Sequence, residues 1–552
     1  MEGAKLLKRT SAQKRHNVYR NALELVGVGG VTGIFAGAVV GVYNLLVKKG
    51  EALAHDAYAF IRENPAFLPL LLLTLVLGAF FIGVIVRLAP EVKGCGIPQA
   101  EGSSRGVIRL NWLRDMTAMF AASLISIFMG LSVGSEGPSV QIGATVGDGV
   151  SKGLRRNEMI RRYQVTGGAC AGLAVASNAP LTGMAFAFEE THKRFTPEVF
   201  ICAFSSVIFG CLTREAIFSA FGISSVSAFH SFVLFELPLR YYPYVAISAA
   251  VCALVGVAFY KAVFFVRRLY RKFTLKSARK TDFVKIFSAV LTGGVISFVA
   301  AGAMGGGHEL IEAMGTLGGA KAPTVESVFS LPLVWTLLIV FILKLVSTCL
   351  NLGAGLPCGI FLPIIAMGAC LGGLMTRAWL SLGMDSNYAD LLVMICMATF
   401  FTAIVKAPIT GIIMVCELTW SFAPLLPLII GVSIGYILGD VFRTNGIYDE
   451  LLEEYERETG VKERQRRVRF TLTVAKNSVA DKREIRDVLW PSGAIVTDVL
   501  RDGVSLHPNG STLLKAGDVL SVVCRTLDVE KAKEELLHLT GSEDGGYRED
   551  EG

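Results

Sequence analysis

Apolar runs follow one another along most of the chain, from about Ala22 to Arg443, with only short polar breaks between them. Several runs are shorter than the roughly 20 residues that a helix needs to cross a bilayer, and Gly or Pro interrupts them. Such pieces are typical of discontinuous helices that end at a buried substrate site. The runs lie at about residues 22–48, 67–88, 112–131, 139–153, 164–177, 180–189, 197–216, 241–266, 285–304, 332–352, 360–381, 388–405, 408–420 and 423–442.

The pattern changes after Arg443, where charged residues and then short β-type runs replace the apolar ones. Residues 456–467 are dense in Glu, Arg and Lys and predict a charged connector. The runs RFTLTVA, SGAIVTDVLRDG and AGDVLSVVCR alternate or are rich in β-branched residues, and a helical stretch follows at 528–539. We therefore predict a small soluble α+β domain over residues 468–540 and a disordered acidic tail over residues 541–552.

Two segments of the apolar region repeat each other. NAPLTGMAFAFEETH begins at Asn178 and KAPITGIIMVCELTW begins at Lys406, 228 residues later. Both share A-P-x-T-G, followed by an acid and a threonine in register, and each follows a Gly/Pro-interrupted segment. Two such halves predict a duplicated transporter core with its site where the halves meet. The sequence alone leaves open whether the halves are inverted.

Composition places the chain among membrane proteins. Of its 552 residues, 52% are hydrophobic and only 18% are charged, whereas soluble domains carry about 25% charged residues. Basic residues concentrate in residues 1–20 and again from Arg267 to Lys280, so by the positive-inside rule both segments are expected in the cytosol. The net charge of +7 comes without the aromatic interleaving of a nucleic-acid surface, and no nucleic-acid partner is expected.

One acid, Glu136, lies in an unusual place, within the stretch VGSEGPSVQIG. A carboxylate inside membrane segments is energetically costly and is usually functional. The glycines and Pro138 break the helical pattern and predict that a helix begins there and runs over residues 139–150. The free N–H groups of a helix start bind anions. Glu136 would compete with an external anion for those donors, which is the behaviour of a gate.

Two further Gly-rich turns, KGCGIPQ and LPCGIFLP, precede helical patterns. Each turn alone fits an ordinary loop between membrane helices. Three such turns spread over both halves favour a binding site, because glycine lets the backbone approach a ligand closely. Cys95 would supply a side chain to that site, and Ile360 and Phe361 would supply two backbone donors. The other cysteines are scattered singly without a C-x-x-C pair and are expected in the core.

These motifs resemble those of the CLC family of chloride channels and proton/chloride exchangers. GCGIP (Gly94–Pro98), GSEGP (Gly134–Pro138) and GIFLP (Gly359–Pro363) occur in the family's order, and NGIYDELL carries a matching tyrosine, Tyr448. The resemblance implies an all-α polytopic membrane protein with inverted-repeat architecture and broken helices, assembled as a homodimer with one anion pathway in each subunit. The implied division of the chain is a membrane core at residues 21–455, with repeat halves at about 21–225 and 240–455.

The same resemblance implies roles for individual residues. Glu136 is similar to the family's gating glutamate, which blocks the anion path when ionised and also carries protons. Glu190 falls at the internal proton-transfer glutamate of the exchangers, and Glu101 matches an acid that supports it. The positions that match anion ligands are Cys95, the backbone amides of Ile360 and Phe361, and the hydroxyl of Tyr448. The matching motif glycines are Gly94, Gly96, Gly134, Gly137 and Gly359.

Four positions qualify the resemblance. Glu189 and Glu190 end an apolar run before a basic stretch, so the residues alone also fit a solvated helix end, which is the expectation for Glu189. Cys95 stands where the family usually has serine, and a thiol is a weaker hydrogen-bond donor than a hydroxyl. Ser135 stands where the family has a basic residue, so a positive charge that would attract anions is missing.

The run from Pro491 to Val523 resembles the C-terminal subdomain of the RCK/TrkA regulators of ion transport proteins, and it does not resemble the paired CBS domains of eukaryotic CLC proteins. A passive dimerisation module and a sensor of a small cytosolic ligand, such as a nucleotide, both remain open. The attachment of this module to a CLC-like core suggests a multi-pass protein of the prokaryotic inner membrane with both termini in the cytosol.

We therefore expect a CLC-type chloride transporter that is coupled to protons as a chloride/proton antiporter. A passive gated anion channel is the first alternative and differs only in lacking proton coupling. A potassium-transport component, suggested by the tail, is disfavoured because no TVGYG-like filter occurs. Gly305 to Glu309 lack the companions of a phosphate loop or a zinc site, and no enzyme activity, metal or cofactor is expected, with chloride as the substrate.

Overall fold

The computed structural model describes residues 2–193, 196–223, 229, 231–273, 278–315, 333–423, 425–460, 466–488, 490–491, 493–526, 529–542 and 545–549. Within these ranges the chain forms a large helical bundle, followed by a small domain built on a five-stranded sheet. Eight of the described helical segments are long and apolar enough to cross a membrane. The predicted fold class, a helical membrane core with a C-terminal α+β domain, is confirmed.

The helices in chain order are α1 (Glu2–Glu63), α2 (Leu68–Leu88), α3 (Ile97–Ser104), α4 (Trp112–Phe128), α5 (Glu136–Gly153), α6 (Glu158–Ser177), α7 (Pro180–Phe186), α8 (Pro197–Ala220), α9 (Tyr242–Lys272), α10 (Ala278–Val299), α11 (His308–Met314), α12 (Leu333–Ala354), α13 (Phe361–Ser381), α14 (Ala389–Val405), α15 (Pro408–Thr419), α16 (Leu425–Val441), α17 (Ile447–Thr459) and α18 (Val529–Thr540). Most of them coincide with a predicted apolar run. Their short members include α3, α7 and α15, with 8, 7 and 12 residues.

The helices differ from the predicted runs at three places. α1 is one helix that includes the basic N-terminal segment, because no proline breaks the chain between its ends. α5 begins at Glu136, earlier than predicted, so Pro138 lies in the first turn, where a missing N–H leaves no intrahelical bond unmade. α3 and α11 were not predicted, because their sequences, IPQAEGSS and HELIEAM, mix polar and charged residues with the apolar ones.

The two repeated segments lie against each other and exchange hydrogen bonds. Glu189, just after α7, accepts hydrogen bonds of 2.9 and 2.6 Å from two backbone N–H groups in the first turn of α15. Glu417, near the end of α15, accepts bonds of 2.8 and 2.7 Å from two backbone N–H groups in the first turn of α7. The end of each helix therefore meets the start of the other, and the repeated elements are antiparallel. The expectation that Glu189 ends a solvated helix is wrong, because its carboxylate caps α15.

Replacing Glu417 with glutamine should weaken this reciprocal connection. Hydrogen bonds to an ionised carboxylate are stronger than those to a neutral amide, so the free energy of unfolding should fall by about 1–2 kcal/mol. Thermal melts of the purified variant and wild type measure the change. Glu309→Gln, at a side chain that is 80% exposed, is the control and should melt like the wild type. Equal melting of Glu417→Gln and wild type would contradict the connection.

Five antiparallel strands form the C-terminal sheet, in the spatial order β3-β2-β4-β1-β5. The strands are β1 (Arg466–Thr473), β2 (Ala494–Arg501), β3 (Val504–Leu506), β4 (Val519–Thr526) and β5 (Gly546–Glu549). Alternate residues of β1, Val468, Phe470 and Leu472, are fully or almost fully buried, and Leu536 of α18 is buried with them in the same core. This alternation is what a sheet with one covered face requires.

The prediction of a disordered tail is wrong for residues 546–549. They form β5, which pairs antiparallel with β1, and the Tyr547 ring lies 5.9 Å from the ring of Phe470. The acidic composition concealed a short strand that covers an otherwise open sheet edge. Residues 543–544 and 550–552 of the predicted tail lie outside the described residues.

The predicted charged connector, residues 456–467, has regular structure at both of its ends. α17 continues through its first part to Thr459, and β1 begins at Arg466. Residues 461–465 lie outside the described residues. Along the chain, the helix that carries Tyr448 is therefore the last helix before the first strand of the C-terminal domain.

Candidate anion and proton site

The three glycine-rich loops meet at one place in the bundle. Gly134 and Gly359 exchange two backbone hydrogen bonds, with N···O distances of 2.7 and 2.9 Å. The N–H of Cys358 donates to the carbonyl oxygen of Gly94 at 3.1 Å. Motifs that are far apart in sequence and belong to both halves of the chain therefore form one backbone cluster.

Glycine is required in this cluster because the loops touch through their backbones. A Cβ atom on Gly137 would lie 2.2 Å from the carbonyl oxygen of Cys95, and one on Gly96 would lie 2.6 Å from that of Gly137. Gly94 and Gly96 also have φ angles of +106° and +88°, which side chains rarely adopt. Any larger residue at these positions would push the loops apart.

Four helices begin at the motif residues. α3, α5, α13 and α17 start at Ile97, Glu136, Phe361 and Ile447, each directly after a residue of one of the motifs or of the NGIYDELL segment. The first N–H groups of a helix lack intrahelical partners, and the helix dipole adds partial positive charge at the same end. Helix starts gathered in this way form an environment suited to an anion.

The Glu136 side chain occupies this environment. The residue is only 1% exposed, and the backbone N–H groups of Glu136 itself, Leu362 and Ser135 act on its carboxylate. A Cβ atom on Gly134 would lie 2.6 Å from Oε2, so the carboxylate lies over that glycine. Oε2 has no hydrogen-bond partner among the described residues. The carboxylate thus lies at the start of α13, where the backbone could otherwise receive an anion.

The four residues that match anion ligands are all buried in the same region. Ile360 and Phe361 form the start of α13 and are 1% and 0% exposed, and Cys95 is 1% exposed. The hydroxyl of Tyr448 is fully buried and has no hydrogen-bond partner in the part of the chain that the structure describes. Cys95 and Glu136 are both close enough to act electrostatically on that hydroxyl. A buried hydroxyl with a free donor is well suited to bind an anion.

A cavity of about 420 Å³ opens beside Cys95 and Gly94. It is also lined by residues of α17, the helix that leads to the C-terminal domain. The basic side chains that line it are Lys93, Arg267, Arg271 and Lys285. The sequence predicted only a topological role for the basic residues from Arg267 to Lys280, although two of them, Arg267 and Arg271, line this cavity. Lys93 pairs with Asp282, and both arginines pair with Glu454, so these basic side chains form ion pairs along the cavity.

Glu190 and Glu101 form a second acidic group. α7 continues into a wider π-helical turn, residues 187–191, and Glu190 lies within it at 3% exposure. Glu101, on α3, is 1% exposed, and both of its carboxylate oxygens lack a hydrogen bond within the described part of the chain. Its nearest cation is Arg105, with Nη2 at 3.7 Å from Oε2. Glu190 is therefore not at a solvated helix end, and both acids lie close enough to act on Tyr448.

Sequence reasoning missed two arginines that contact the elements carrying these acids, Arg105 and Arg162. Arg105 follows Glu101 by four residues, a spacing that places both side chains on one helix face and could have indicated the pair. Arg162 lies on α6 and donates to the carbonyl oxygen of Ser104 at the end of α3. No sequence signal connects these two residues. Among the residues that the structure describes, no group of three or more His, Cys, Asp or Glu side chains could hold a metal ion.

Two family models match the chain. The one described as voltage gated chloride channel matches residues 77–440, and the one described as TrkA-C domain matches residues 470–537. The H(+)/Cl(-) exchange transporter ClcA of Vibrio cholerae is 31% identical over 402 residues, which is 71% of this chain and 81% of that protein. The protein of the same name from Yersinia pestis is 30% identical over 412 residues, 73% of this chain and 81% of that protein.

Solved structures share the fold of the helical core. A slow cyanobacterial Cl-/H+ antiporter aligns with a TM-score of 0.69 at 21% identity and covers 79% of this chain and 99% of its own. A CLC-type fluoride/proton antiporter aligns with a TM-score of 0.59 at 20% identity and covers 76% and 96%. At these identities the similarity to the solved structures concerns the fold alone. The relationship in sequence rests on the family models and on the exchange transporters.

Proposed function

This chain belongs to the voltage-gated chloride channel (CLC) family, and from that premise we propose that it is a chloride/proton antiporter of the membrane. The observation that carries the proposal is the place of the Glu136 carboxylate at the start of α13. An ionisable group there competes with chloride for the same backbone donors. Protonation of that group removes its charge, so proton binding and anion binding become linked.

The anion ligands in this proposal come from three helix starts, those of α3, α13 and α17. The backbone N–H groups of Ile360 and Phe361 hold chloride, and the Tyr448 hydroxyl and the Cys95 thiol donate to it from the other side. All of these groups belong to one chain, which supports one pathway in each subunit. The cavity lined by basic residues beside Cys95 gives chloride access from the side of the C-terminal domain.

Proton coupling needs a second group that accepts the proton after Glu136. Glu190, supported by Glu101, takes this role in our proposal, because both acids are buried and both act on Tyr448. A passive anion channel has no need for a second buried acid. A carboxyl group can bind and release a proton, which is what an intermediate group in proton transfer must do.

Reconstituted protein tests the function directly. Liposomes are loaded with chloride, and an outward chloride gradient is imposed without a proton gradient while a potassium ionophore clamps the voltage. Chloride leaving the vesicles should drive protons inward, and acidification of the lumen stops when the chloride gradient is removed. Chloride efflux without proton uptake would instead identify a passive channel.

The assembly and the C-terminal domain complete the proposal. The active form is a homodimer in a prokaryotic inner membrane, and both chain termini lie in the cytosol. The TrkA-C domain, matched over residues 470–537, binds a small cytosolic ligand such as a nucleotide. Ligand binding can alter transport only through a difference in affinity between two states of the protein.

Replacing Cys95 with serine should favour chloride over nitrate. A hydroxyl is a better hydrogen-bond donor than a thiol, so the chloride/nitrate ratio of transport rates should rise by about 2- to 10-fold. Anion flux from liposomes in matched chloride and nitrate gradients gives the ratio. Cys358→Ser, at an equally buried cysteine of the neighbouring loop, is the control. A ratio that is the same in Cys95→Ser and wild type would show that Cys95 does not bind the anion.

A further inference from the structure

The C-terminal domain contacts the membrane core through a buried ion pair. Glu535 of α18 lies 3.3 Å from Nη1 of Arg162 on α6, and both residues are buried. Arg162 also donates from Nε to the carbonyl oxygen of Ser104 at 2.8 Å. Ser104 is the last residue of α3, the helix that carries Glu101. One arginine therefore links the C-terminal domain to the helix of the supporting acid.

The next residue, Arg105, holds the turn that contains Glu190. Its Nη2 and Nε donate to the carbonyl oxygens of Glu190 and Thr191, each at 3.0 Å. Its Nη1 lies 3.5 Å from Asp449, the neighbour of Tyr448. A planar guanidinium group presents donors in a fixed fork, which suits it to fix two adjacent carbonyl groups at once. The π-helical turn is thus fixed to α3 by a single side chain.

α6 also holds the chain after this turn. The hydroxyl of Thr166 is 2.7 Å from Nε2 of His192, and the same hydroxyl donates to the carbonyl oxygen of Arg162 at 2.9 Å. The turn around Glu190 is therefore held from one side by Arg105 and from the other by the part of α6 that meets the C-terminal domain. A shift of α18 would act on both sides of the turn.

We propose that Arg105 and Arg162 are positioning residues for proton transfer, and that the docked C-terminal domain uses the Glu535–Arg162 pair to fix the turn of Glu190. The inference rests on the proposed role of Glu190. Neither arginine binds chloride or carries the proton. The two arginines hold the Glu190 backbone in position relative to Glu101 and Tyr448. Loss of that position therefore lowers proton coupling more than it lowers anion flux.

A second contact between the domain and the core provides a control. Arg483 pairs with Glu198 in the first turn of α8, and neither residue belongs to α3, α6 or the π-helical turn. Arg483→Gln therefore removes a docking contact that involves neither the Glu535–Arg162 pair nor Arg105. Glu535→Gln keeps the shape of the side chain and removes only the charge that pairs with Arg162. Arg105→Lys keeps a positive charge but cannot donate to two carbonyls from one planar group.

The test measures full-length proteins in liposomes by two readouts. The first is the number of protons moved per chloride, and the second is hydrogen–deuterium exchange of the peptide covering Phe186 to Lys193. Glu535→Gln and Arg105→Lys should lower the proton-to-chloride ratio by about 3-fold or more, keep chloride flux within about 2-fold of wild type, and speed exchange in that peptide. Arg483→Gln should leave both readouts at wild-type values.

Three results would overturn the proposal. One is an unchanged ratio and unchanged exchange in Glu535→Gln or Arg105→Lys. Another is an equal effect of Arg483→Gln, which would mean that docking as a whole matters and not this ion pair. The third is a loss of coupling without faster exchange in the turn. If wild-type protein moves no protons at all, the proposed antiport fails, and the exchange measurement still decides whether the two arginines position the turn.

Discussion

Replacing Glu136 with glutamine is expected to leave chloride transport running and to abolish proton transport. The amide has the size of a protonated carboxyl group but carries no charge. It therefore no longer competes with chloride for the donors at the start of α13. It has no proton to exchange at physiological pH. Proton movement driven by chloride should fall by about 100-fold or more, because proton transfer needs a group that titrates.

The measurement uses the chloride-loaded liposomes described above, with chloride efflux and lumenal pH recorded together. Asp115→Asn is a matched control, because Asp115 is another fully buried acid of the membrane core, and its carboxylate pairs with Arg114 at 2.7 Å and accepts from the backbone N–H of Asn111. That variant should remain coupled. If Glu136→Gln still drives protons against their gradient, Glu136 is not the group that links the two ions.

The positions of the site loops could be predicted from the sequence, whereas their mutual contacts could not. Glycines ahead of Pro98, Pro138 and Pro363 indicated backbone that approaches a ligand, and these loops do touch one another. The hydrogen bonds between Gly134 and Gly359 join the two halves of the chain. Local patterns contain no information about which distant loop a given loop will meet.

The adjacent acids Glu189 and Glu190 show more clearly that local sequence does not predict contacts between distant segments. Glu189 and Glu190 are adjacent, and their local sequence favoured a solvated helix end for both. In the structure the two side chains lie in different places. The Glu189 carboxylate accepts hydrogen bonds at the start of α15, while Glu190 is buried beside α3. A π-helical turn has no sequence signature of its own, and such turns are frequent at functional sites. Only the fold separates the two carboxylates.

The C-terminal domain could be predicted as a module but not as a neighbour of the acidic group. Alternating runs indicated β1, β2 and β4, while β5 was concealed by acidic composition. The contact between Glu535 and Arg162 joins residues of two different domains. Charged residues on an amphipathic helix such as α18 are usually solvated, so no local pattern singles out Glu535 among them.

Glu190 and Glu189 together offer the most discriminating test of proton transfer on the inner side. Glu190→Gln should retain chloride flux within about tenfold of wild type and lose proton coupling by about 100-fold, since a buried amide cannot relay a proton. Glu189→Gln removes the same charge from the adjacent residue. It should lower the free energy of unfolding by about 1–2 kcal/mol through weaker capping of α15, and it should stay coupled.

The comparison separates proton transfer from general damage to the turn, because both variants change one carboxylate to an amide within two neighbouring residues. Flux, lumenal pH and thermal melts are recorded for both proteins and for wild type. Coupling lost in Glu189→Gln as strongly as in Glu190→Gln would mean that the integrity of the turn, and not a titrating group, is what matters. Full coupling in Glu190→Gln would remove Glu190 from the proton path and would leave its burial beside Glu101 as a structural feature.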